Sequence, residues 1–451
     1  MTTSIYVLGF LGLALIPAWR AEPFPFLAGY FLLFAIFAAF VAVWRDAHGP
    51  GWTRLILVAA IAMRVIILAG HPYDLSADVA RYAWDGHLLR QGLNPFALPP
   101  GDAALIPYRT DWFSDISYPE IPTIYPPVAQ GLFGLSGLLG GSPGAMRLLL
   151  VLCDVAVMLL LARLLARLRL PAGRLIVYAW CPLPVVEVAS SGHVEPLGVL
   201  FVLLCALALG GRRHALAGAA WAAAVLAKVG PLLLAPLVVR RGGRRAVLAA
   251  AGVTAVLVAP FLGARWNLVR GLGEYGSRWR FNDLLFSHLV DLYDRVPAAG
   301  ALAALVVRVF DAAGARAFGQ SIASPAGAAR LTVGLFLAGV AITLAARRPD
   351  RTGAGFLRDA AVLIGVSLLL APTVHPWYLL WLLPLLCFIP SPPWILLCGT
   401  VALSYVDAAM GRSALLGPSA FAWLEYGPSI ALWGFLVARS RRPALFPPAP
   451  P

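Results

Sequence analysis

Long apolar runs separated by short polar loops make up most of this chain. The runs are continuous, unlike the alternating segments of about 10 residues that form barrel strands, so they predict helices that satisfy their backbone hydrogen bonds within a bilayer. We expect roughly 11 to 14 crossings at about 20 apolar residues each, several of them short or interrupted by proline. The predicted spans lie near residues 4–18, 25–44, 54–70, 146–162, 175–190, 194–210, 214–239, 245–263, 329–346, 357–371, 376–389, 393–410 and 418–438, with two further apolar stretches at 125–140 and 297–325.

Residues 71–130 are the exception, a long polar stretch that directly follows an apolar span. They contain seven of the 21 acidic residues of the chain: Asp74, Asp78, Asp85, Asp102, Asp111, Asp115 and Glu120. Such a concentration of carboxylates predicts a reaction site or a polar binding site at the bilayer surface.

The composition supports an all-α polytopic membrane protein. The chain is 60% hydrophobic and 12% charged, and a soluble protein of 451 residues could not cover so much apolar surface. All five cysteines lie in apolar segments, so neither a disulfide framework nor a zinc site is predicted. The chain has no P-loop, GxGxxG or HExxH motif, which argues against a nucleotide-driven pump and a zinc protease. We expect one membrane domain over residues 1–440, no metal and no cofactor, and an extended Pro-rich tail at 441–451.

The net charge of +14 comes from arginines clustered in short loops between the apolar runs. By the positive-inside rule these loops lie on the cytoplasmic side, so the charge indicates topology and contact with membrane lipids, and no nucleic-acid partner is expected. The clusters are Arg163, Arg167, Arg169 and Arg174; Arg212 and Arg213; Arg240, Arg241, Arg244 and Arg245; Arg347, Arg348 and Arg351; and Arg439, Arg441 and Arg442.

This topology places the acidic cap, residues 71–130, outside the cytoplasm, together with a second outer loop at 264–295 and the segment around His375. Two stretches do not fit a simple crossing pattern. Residues 125–140 are expected to be re-entrant or interfacial. Residues 214–239 carry basic clusters at both ends, which leaves open a turn back near Lys228–Pro231 in place of a single crossing.

The first candidate site lies in SADVARYAWDGHLLRQG, where four residues share one face if the segment is helical. These residues, spaced i, i+3, i+4 and i+7, are Asp78, Arg81, Tyr82 and Asp85. Ser76 would cap the helix and Gly92 would end it. A carboxylate held at the interface can take a proton from a sugar hydroxyl. The alternative is an ordinary amphipathic helix in which Arg81 pairs with a neighbouring carboxylate.

Two further candidate sites combine bases or cations with aromatic rings. His375 precedes Trp377 and Tyr378 at the predicted headgroup depth, where it could donate to a phosphate oxygen or serve as an acid or base. Arg278 and Arg280, in EYGSRWRFND, could grip a phosphate while neighbouring rings stack on a sugar. In both segments the residues could equally be interfacial aromatics and solvated charges.

Ionisable residues also occur inside predicted spans, where they are costly unless they face a cavity or each other. His193 and Glu195, in SSGHVEPLG, are equally compatible with a functional and a structural role, and Glu187 is close to them in sequence. Lys228 could bind a lipid phosphate or extend to the interface. Structural roles are expected for Asp154, Asp311 and Asp407.

The order of these motifs resembles the bacterial GT-C superfamily of polytopic glycosyltransferases, most closely the polyprenyl-phosphate-mannose-dependent mannosyltransferases and glycosyltransferase family 87. The resemblance covers residues ~70–390 and rests on DVARYAWDGHLLRQGLNPF, TIYPPVAQ, SGHVEPL, AKVGPLLLAP, YGSRWRFND and VHPWYLLWLLPLL, in that order. It implies a GT-C-like helical bundle with an extracytoplasmic cap that contains amphipathic helices.

The resemblance also implies a reaction, the inverting transfer of a hexose, often mannose, from a polyprenyl phosphate to a lipid-linked or glycan acceptor on the outer face of the inner (plasma) membrane. Asp78 occupies the place of the general base, and Asp74 is the second choice. Relatives carry a tight Asp-x-Asp pair where this chain has Ser76 and Ala77, which argues against a two-carboxylate metal site. His375 matches a histidine beside the donor phosphate.

The predicted substrate-binding residues come from all of these motifs: Asp74, Arg81, Tyr82, Asp85, Tyr125, His193, Glu195, Lys228, Tyr275, Arg278, Arg280, His375, Trp377 and Tyr378. Three alternatives stay open on the sequence. A lipid-linked sugar transporter or flippase would need charges that track through the bilayer. A non-catalytic subunit would tolerate substitution of the cap. A glycoside hydrolase would need two carboxylates at a defined separation, for which Asp78 and Asp85 are candidates.

Overall fold

The computed structural model describes residues 2–296, 304–305, 307–309, 311–312, 320, 323–347, 353–406 and 418–439. The protein is 78% helical. Within the described ranges the only β-type pairing is an isolated bridge between Phe281 and Thr373. Asp407, the tail at 441–451 and most of the apolar stretch at 297–325 lie outside the described residues.

The α-helices follow one another along the part of the chain that the structure describes. They are α1 (Thr2–Ala14), α2 (Pro23–Trp44), α3 (Pro50–Gly70), α4 (Asp78–Arg90), α5 (Pro127–Leu138), α6 (Pro143–Arg167), α7 (Ile176–Ala179), α8 (Pro182–Pro184), α9 (Glu195–Gly210), α10 (His214–Ala227), α11 (Ala235–Val258), α12 (Asn267–Arg278), α13 (Leu284–Arg295), α14 (Pro325–Ala346), α15 (Ala354–Leu370), α16 (Pro392–Thr400) and α17 (Pro418–Arg439).

Shorter helical turns connect many of these helices. The 3₁₀ segments are Ala103–Tyr108, Phe113–Asp115, Ala172–Leu175, Gly230–Leu234, Ala259–Ala264, Pro376–Trp381, Leu383–Cys387 and Val401–Leu403, and Val185–Ser190 forms a π-helical turn. Such turns are frequent at helix ends, and π-turns occur often at functional sites.

Five helical segments in the described part of the chain are long and apolar enough to cross a membrane: α2, α3, α6, Gly230–Ala264 and α14. A sixth crossing results if the pair Ala172–Ala179 and Pro182–Ser190, bent by 49°, counts as one span. The protein is therefore an all-α polytopic membrane protein, as the apolar pattern predicts. The total of 11 to 14 crossings stays a prediction, because several apolar helices are shorter than a bilayer is thick.

The chain reverses direction after α10, at the position where basic clusters on both sides left a turn open. The Trp221 indole of α10 donates a hydrogen bond to the carbonyl of Pro231 (2.8 Å), and further along, Gly242 approaches the backbone of His214 at the start of α10. Residues 231–242 therefore run antiparallel to α10. Gly243 then bends α11 with a φ of +59°, a conformation that glycine adopts without strain.

Within the cap, α4 packs against α5 at backbone contact distance. A Cβ atom built on Gly86 of α4 would lie 2.0 Å from the Phe133 carbonyl oxygen, and one on Gly137 would lie 2.2 Å from the Gly86 oxygen. Both glycines are needed because any side chain would push the helices apart. This packing buries α4 on nearly all sides, so α4 differs from the interfacial amphipathic helix expected from its sequence. The strongly amphipathic helix in the second outer loop is α12.

An ion pair in the membrane-embedded core explains one acid that the sequence analysis expects to be structural. Arg64 of α3 donates to Asp154 of α6 at 2.6 Å, both side chains are fully buried, and Tyr178 also donates to Asp154. The Arg64 guanidinium further donates to the Ala179 carbonyl (2.6 Å). Buried charges are tolerated when they are paired and hydrogen-bonded in this way, so Asp154 joins α3, α6 and α7.

Candidate active site

A cavity of about 720 Å³ lies between the cap and the helical bundle. Its polar wall combines residues from the cap, from the end of α10, from α12 and from the segment that follows α15. The polar and aromatic residues of this wall include Arg20, Asp78, Arg81, Tyr125, Lys228, Tyr275, His375, Trp377 and Tyr378. The cavity thus gathers most of the residue types that the sequence motifs single out.

Asp78 begins α4, and its side chain is 35% exposed, toward this cavity. Its Oδ2 atom lies 3.6 Å from Nδ1 of His193, and the Tyr82 hydroxyl donates to the same oxygen at 3.5 Å. Burial alone would raise the pKa of Asp78, but His193, Lys228 and His375 outweigh burial and lower it. The first turn of a helix also favours negative charge. Asp78 is therefore a carboxylate at neutral pH and able to accept a proton.

His193 lies directly behind Asp78 and is fully buried. Its second ring nitrogen, Nε2, lies 3.5 Å from Oε2 of Glu187, and the Tyr405 hydroxyl donates to the other oxygen of Glu187. The turn that presents His193 is tight: Gly192 has a φ of +71°, and the His193 amide donates to the Glu187 carbonyl at 2.9 Å. The imidazole is thus held between two carboxylates.

Four aromatic rings stack in a column beside the cavity. His193 stacks on Trp377 (3.7 Å between ring centroids), Trp377 on His375 (4.3 Å), and His375 on Phe281 (4.5 Å). The Phe281 backbone is itself fixed, since its amide donates to the Pro372 carbonyl and its carbonyl accepts from the Val374 amide. The column places His375 at the cavity and ties it to the histidine behind Asp78.

Lys228 provides a cation at the cavity wall. It forms an ion pair with the fully buried carboxylate of Glu195, and its Nζ atom lies 4.8 Å from the centroid of the Tyr378 ring. The hydroxyls of Tyr275 and Tyr378 share a hydrogen bond. Burial and the neighbouring Tyr378 raise the pKa of Tyr275, so this phenol stays protonated. The pair of hydroxyls and the ammonium group together suit a phosphate, which needs hydrogen-bond donors and positive charge.

Asp85 does not line the cavity, although it shares a helix face with Asp78. It accepts hydrogen bonds from Thr123 (2.5 Å), Gln130 (2.9 Å) and Arg81 (3.2 Å) and is buried among them. Arg81 reaches the cavity wall but donates to Asp85 and to the Ile121 carbonyl (3.0 Å). This network joins α4 to the chain before α5. It corresponds to the alternative in which Arg81 pairs with a neighbouring carboxylate.

Asp74, Arg278 and Arg280 are also outside the cavity lining. Asp74 accepts a hydrogen bond from the Arg20 amide (3.3 Å) and lies 3.8 Å from His71. Arg280 donates to Asp283 (2.9 Å) and to Ser287 (2.8 Å), and Arg278 is exposed. The structure therefore does not bring the two arginines to His375.

The neighbouring rings of Trp279 and Phe281 do line the cavity, as do the predicted Tyr125, Trp377 and Tyr378. Tyr82, His193 and Glu195 stand behind the wall in contact with Asp78 or Lys228.

Sequence reasoning missed two features of the site. Arg20 lines the cavity from the loop between α1 and α2. It is the single basic residue of that loop. The predicted topology places the loop outside the cytoplasm, where basic residues are not expected, and this could have identified Arg20 as a candidate site residue. The contact of Tyr405 with Glu187 joins residues 218 positions apart and has no local signal. Within the described part of the chain no three His, Cys, Asp or Glu side chains form a metal-binding group, and the absence of a metal requirement stays a prediction.

Comparison with known proteins assigns the family. Residues 123–372, more than half of the chain, match the sequence model of glycosyltransferase family 87. No curated protein and no solved structure gives a significant match. The matched region contains His193, Lys228 and Tyr275 and ends three residues before His375. The chain belongs to glycosyltransferase family 87 and is a membrane glycosyltransferase.

Proposed function

We propose that this protein transfers a hexose from a polyprenyl phosphate to a lipid-linked or glycan acceptor, and that the hexose is mannose. The proposed site is the cavity that contains Asp78, on the extracytoplasmic face of the inner membrane. The observation that carries the proposal is the combination, in one cavity, of a charged carboxylate, a cation with phenolic donors, and an apolar wall that extends between membrane helices.

The apolar wall supports a lipid-borne donor. Leu233 from the turn after α10, Val333 and Leu337 from α14, and Ile364 and Leu368 from α15 line the cavity. A free sugar or a nucleotide would leave this surface uncovered, whereas a polyprenyl chain would bury it at about 25 cal/mol per Å². Nucleotide sugars are also not supplied outside the cytoplasm, so a transferase on the outer face needs a lipid carrier.

The chemistry assigned to the site is a single displacement. The acceptor hydroxyl attacks the anomeric carbon and gives its proton to Asp78. The new glycosidic bond forms as the bond between the anomeric carbon and the phosphate oxygen breaks, and that oxygen keeps the bonding electrons. Lys228, the protonated Tyr275 and His375 stabilise the charge that develops on the phosphate. Because Asp85 is buried in its own network, no second carboxylate of α4 is placed as a nucleophile, which favours inversion.

The test uses the full-length protein in lipid nanodiscs. The donor is a synthetic polyprenyl-phosphate mannose with a radiolabelled sugar, and octyl mannoside serves as the acceptor probe. We expect labelled disaccharide with inverted anomeric configuration and an equal amount of free polyprenyl phosphate. Asp78→Asn should lower the rate by about 10²–10⁴-fold, the usual contribution of a general base.

The matched control is Asp111→Asn, an exposed aspartate in the same cap, which should leave the rate unchanged. Wild-type turnover in Asp78→Asn would refute the assignment of the base. Movement of the labelled lipid across a vesicle membrane without release of free polyprenyl phosphate would instead identify a transporter.

A further inference from the structure

Two buried residues behind Asp78 have no place in the displacement described above. His193 and Glu187 are both fully buried and neither lines the cavity, so neither can touch a substrate. Yet one ring nitrogen of His193 faces Asp78 at 3.6 Å and the other faces Glu187 at 3.5 Å. Both distances fit ion pairs and exceed those of hydrogen bonds, and neither nitrogen of the ring has a hydrogen-bond partner among the described residues.

We propose that His193 and Glu187 act as one unit on the base: Glu187 holds the imidazole of His193 in place, and the imidazole orients the Asp78 carboxylate and sets its basicity. The inference rests on the proposed role of Asp78 as general base. His193 and Glu187 are positioning residues, because they act through Asp78 alone.

The contacts of Glu187 fix the place of the imidazole. The Glu187 side chain is fully buried and contacts the Tyr405 hydroxyl and Nε2 of His193. A buried polar side chain is costly without such partners, so Glu187 holds the ring at the position from which Nδ1 faces Asp78. From that position His193 lowers the pKa of Asp78.

The other groups around the unit are already engaged. Lys228 pairs with Glu195, and the Arg147 guanidinium of α6 donates to the carbonyls of His71 (2.6 Å) and Ala189 (2.6 Å). Trp377 covers one face of the His193 ring. The titratable and charged groups that face the unit from neighbouring elements are Tyr30, Asp78, Tyr82, Arg147, Glu195, Lys228, His375 and Tyr405.

Orientation follows from the same geometry. The Asp78 oxygen that faces His193 is Oδ2, which also accepts from Tyr82. With Oδ2 held on the buried side, the other oxygen is left for the acceptor hydroxyl at the cavity. A loss of this alignment lowers the chemical step without changing substrate affinity, because a displacement of about 1 Å can cost 10²-fold in rate.

The test compares three variants in the transfer assay across pH. Glu187→Gln preserves shape but weakens the contact that holds His193 beside Asp78, so His193 lowers the pKa of Asp78 less and that pKa rises. The acid limb of kcat/KM should therefore move to higher pH, with KM unchanged. His193→Asn keeps a donor but lacks the imidazole and should show the same shift, whereas His193→Ala loses both and should also lower kcat about 100-fold.

His71→Ala is the matched control. His71 is likewise buried, stacks on Trp19 at 3.6 Å and lies 3.8 Å from Asp74, but it is not part of the cavity lining. Its loss should leave the acid limb in place. Thermal unfolding in nanodiscs identifies variants that fail to fold. If His193→Ala fails to fold, Glu187→Gln and His193→Asn still test the proposal.

The outcomes separate this inference from the proposed function. If Asp78→Asn is inactive while Glu187→Gln and His193→Asn keep the wild-type acid limb and rate, the unit has no role and Asp78 remains the base. If Asp78→Asn is fully active, the proposed function itself fails. A shifted acid limb in both isosteric variants, absent in His71→Ala, supports the unit.

Discussion

Replacement of Lys228 by methionine separates the proposed catalytic role of this cation from its structural role. Lys228 pairs with the fully buried Glu195 and lies 4.8 Å from the Tyr378 ring centroid. Methionine preserves much of the aliphatic chain and removes the charge. Two consequences follow, one for stability and one for rate, and they respond differently to a second substitution.

The structure sets the size of each effect. Removal of one partner of a buried ion pair costs about 3–5 kcal/mol in the free energy of unfolding, because the other charge stays buried without compensation. Since the Lys228 side chain is 23% exposed, water reaches the pair and we expect the lower end of that range. Loss of a charged donor to a developing oxyanion lowers kcat by about 10²–10³-fold.

A second substitution, Glu195→Gln, removes the uncompensated carboxylate. The double variant Lys228→Met/Glu195→Gln should recover most of the lost stability, because a buried amide is less costly than a buried charge. It should not recover the rate, because the cation that faces the donor phosphate is still absent. Thermal unfolding in nanodiscs and the mannose transfer assay measure the two quantities separately.

Arg241→Met is the matched control. Arg241 pairs with the buried Asp359 at 2.5 Å, and neither residue lines the cavity. Because Arg358 also contacts Asp359 at 3.4 Å, the loss of Arg241 leaves that carboxylate with one positive partner. It should therefore lower stability by less than Lys228→Met does, and leave kcat near the wild-type value. Wild-type kcat in the Lys228→Met/Glu195→Gln double variant would refute the assignment of Lys228 to the donor phosphate.

Three other predictions follow from the same structure. Because the pKa of Asp78 is lowered, the proposed base stays charged until the pH falls through that value, so in a pH–rate profile the acid limb of kcat/KM should lie below the ordinary pKa of an aspartate; a limb near neutrality would contradict this. Gly137→Ala places a Cβ 2.2 Å from a backbone oxygen of α4 and should cost about 1–3 kcal/mol in thermal or denaturant unfolding, whereas Gly131→Ala, with open space on the same helix, should be neutral or stabilising. Leu337→Trp fills the apolar wall and should raise KM for polyprenyl-phosphate mannose more than for a short citronellyl-phosphate donor, while Leu335→Trp on the exposed side of α14 should change neither.

The sequence alone determined the fold class and the helix that carries Asp78, the proposed base. Hydropathy predicts helices in a bilayer because each span must satisfy its own backbone hydrogen bonds. Local signals also predict the end of α4, which lies two residues before Gly92, whose φ is +74°. The expected cap is wrong: the residue before the helix is Ala77, which makes no side-chain cap, and the Ser76 hydroxyl accepts a hydrogen bond from the Asp78 amide only. For residues 214–239 the sequence allowed either a single crossing or a turn back after α10, and the structure shows the turn.

Long-range packing decided how the residues on α4 divide between roles. Helical spacing put Asp78 and Asp85 on one face, but Thr123 and Gln130, from a segment that folds back over α4, bury Asp85 in a network. Spacing along one helix carries no information about which neighbour covers which turn. The same limit applies to Arg280, which Asp283 and Ser287 hold away from the cavity.

The cavity itself exists only in the tertiary structure. Its base comes from α4, its cation from the end of α10 and its apolar wall from α14 and α15, and the Tyr405 hydroxyl that supports Glu187 lies 218 positions further along the chain. The sequence determined which residue types were available and on which elements they lie, because propensity, hydropathy and helical period act over a few turns. Only the packing of distant helices decided which charges pair with one another and which remain for a substrate, because burial and electrostatic pairing depend on neighbours in space.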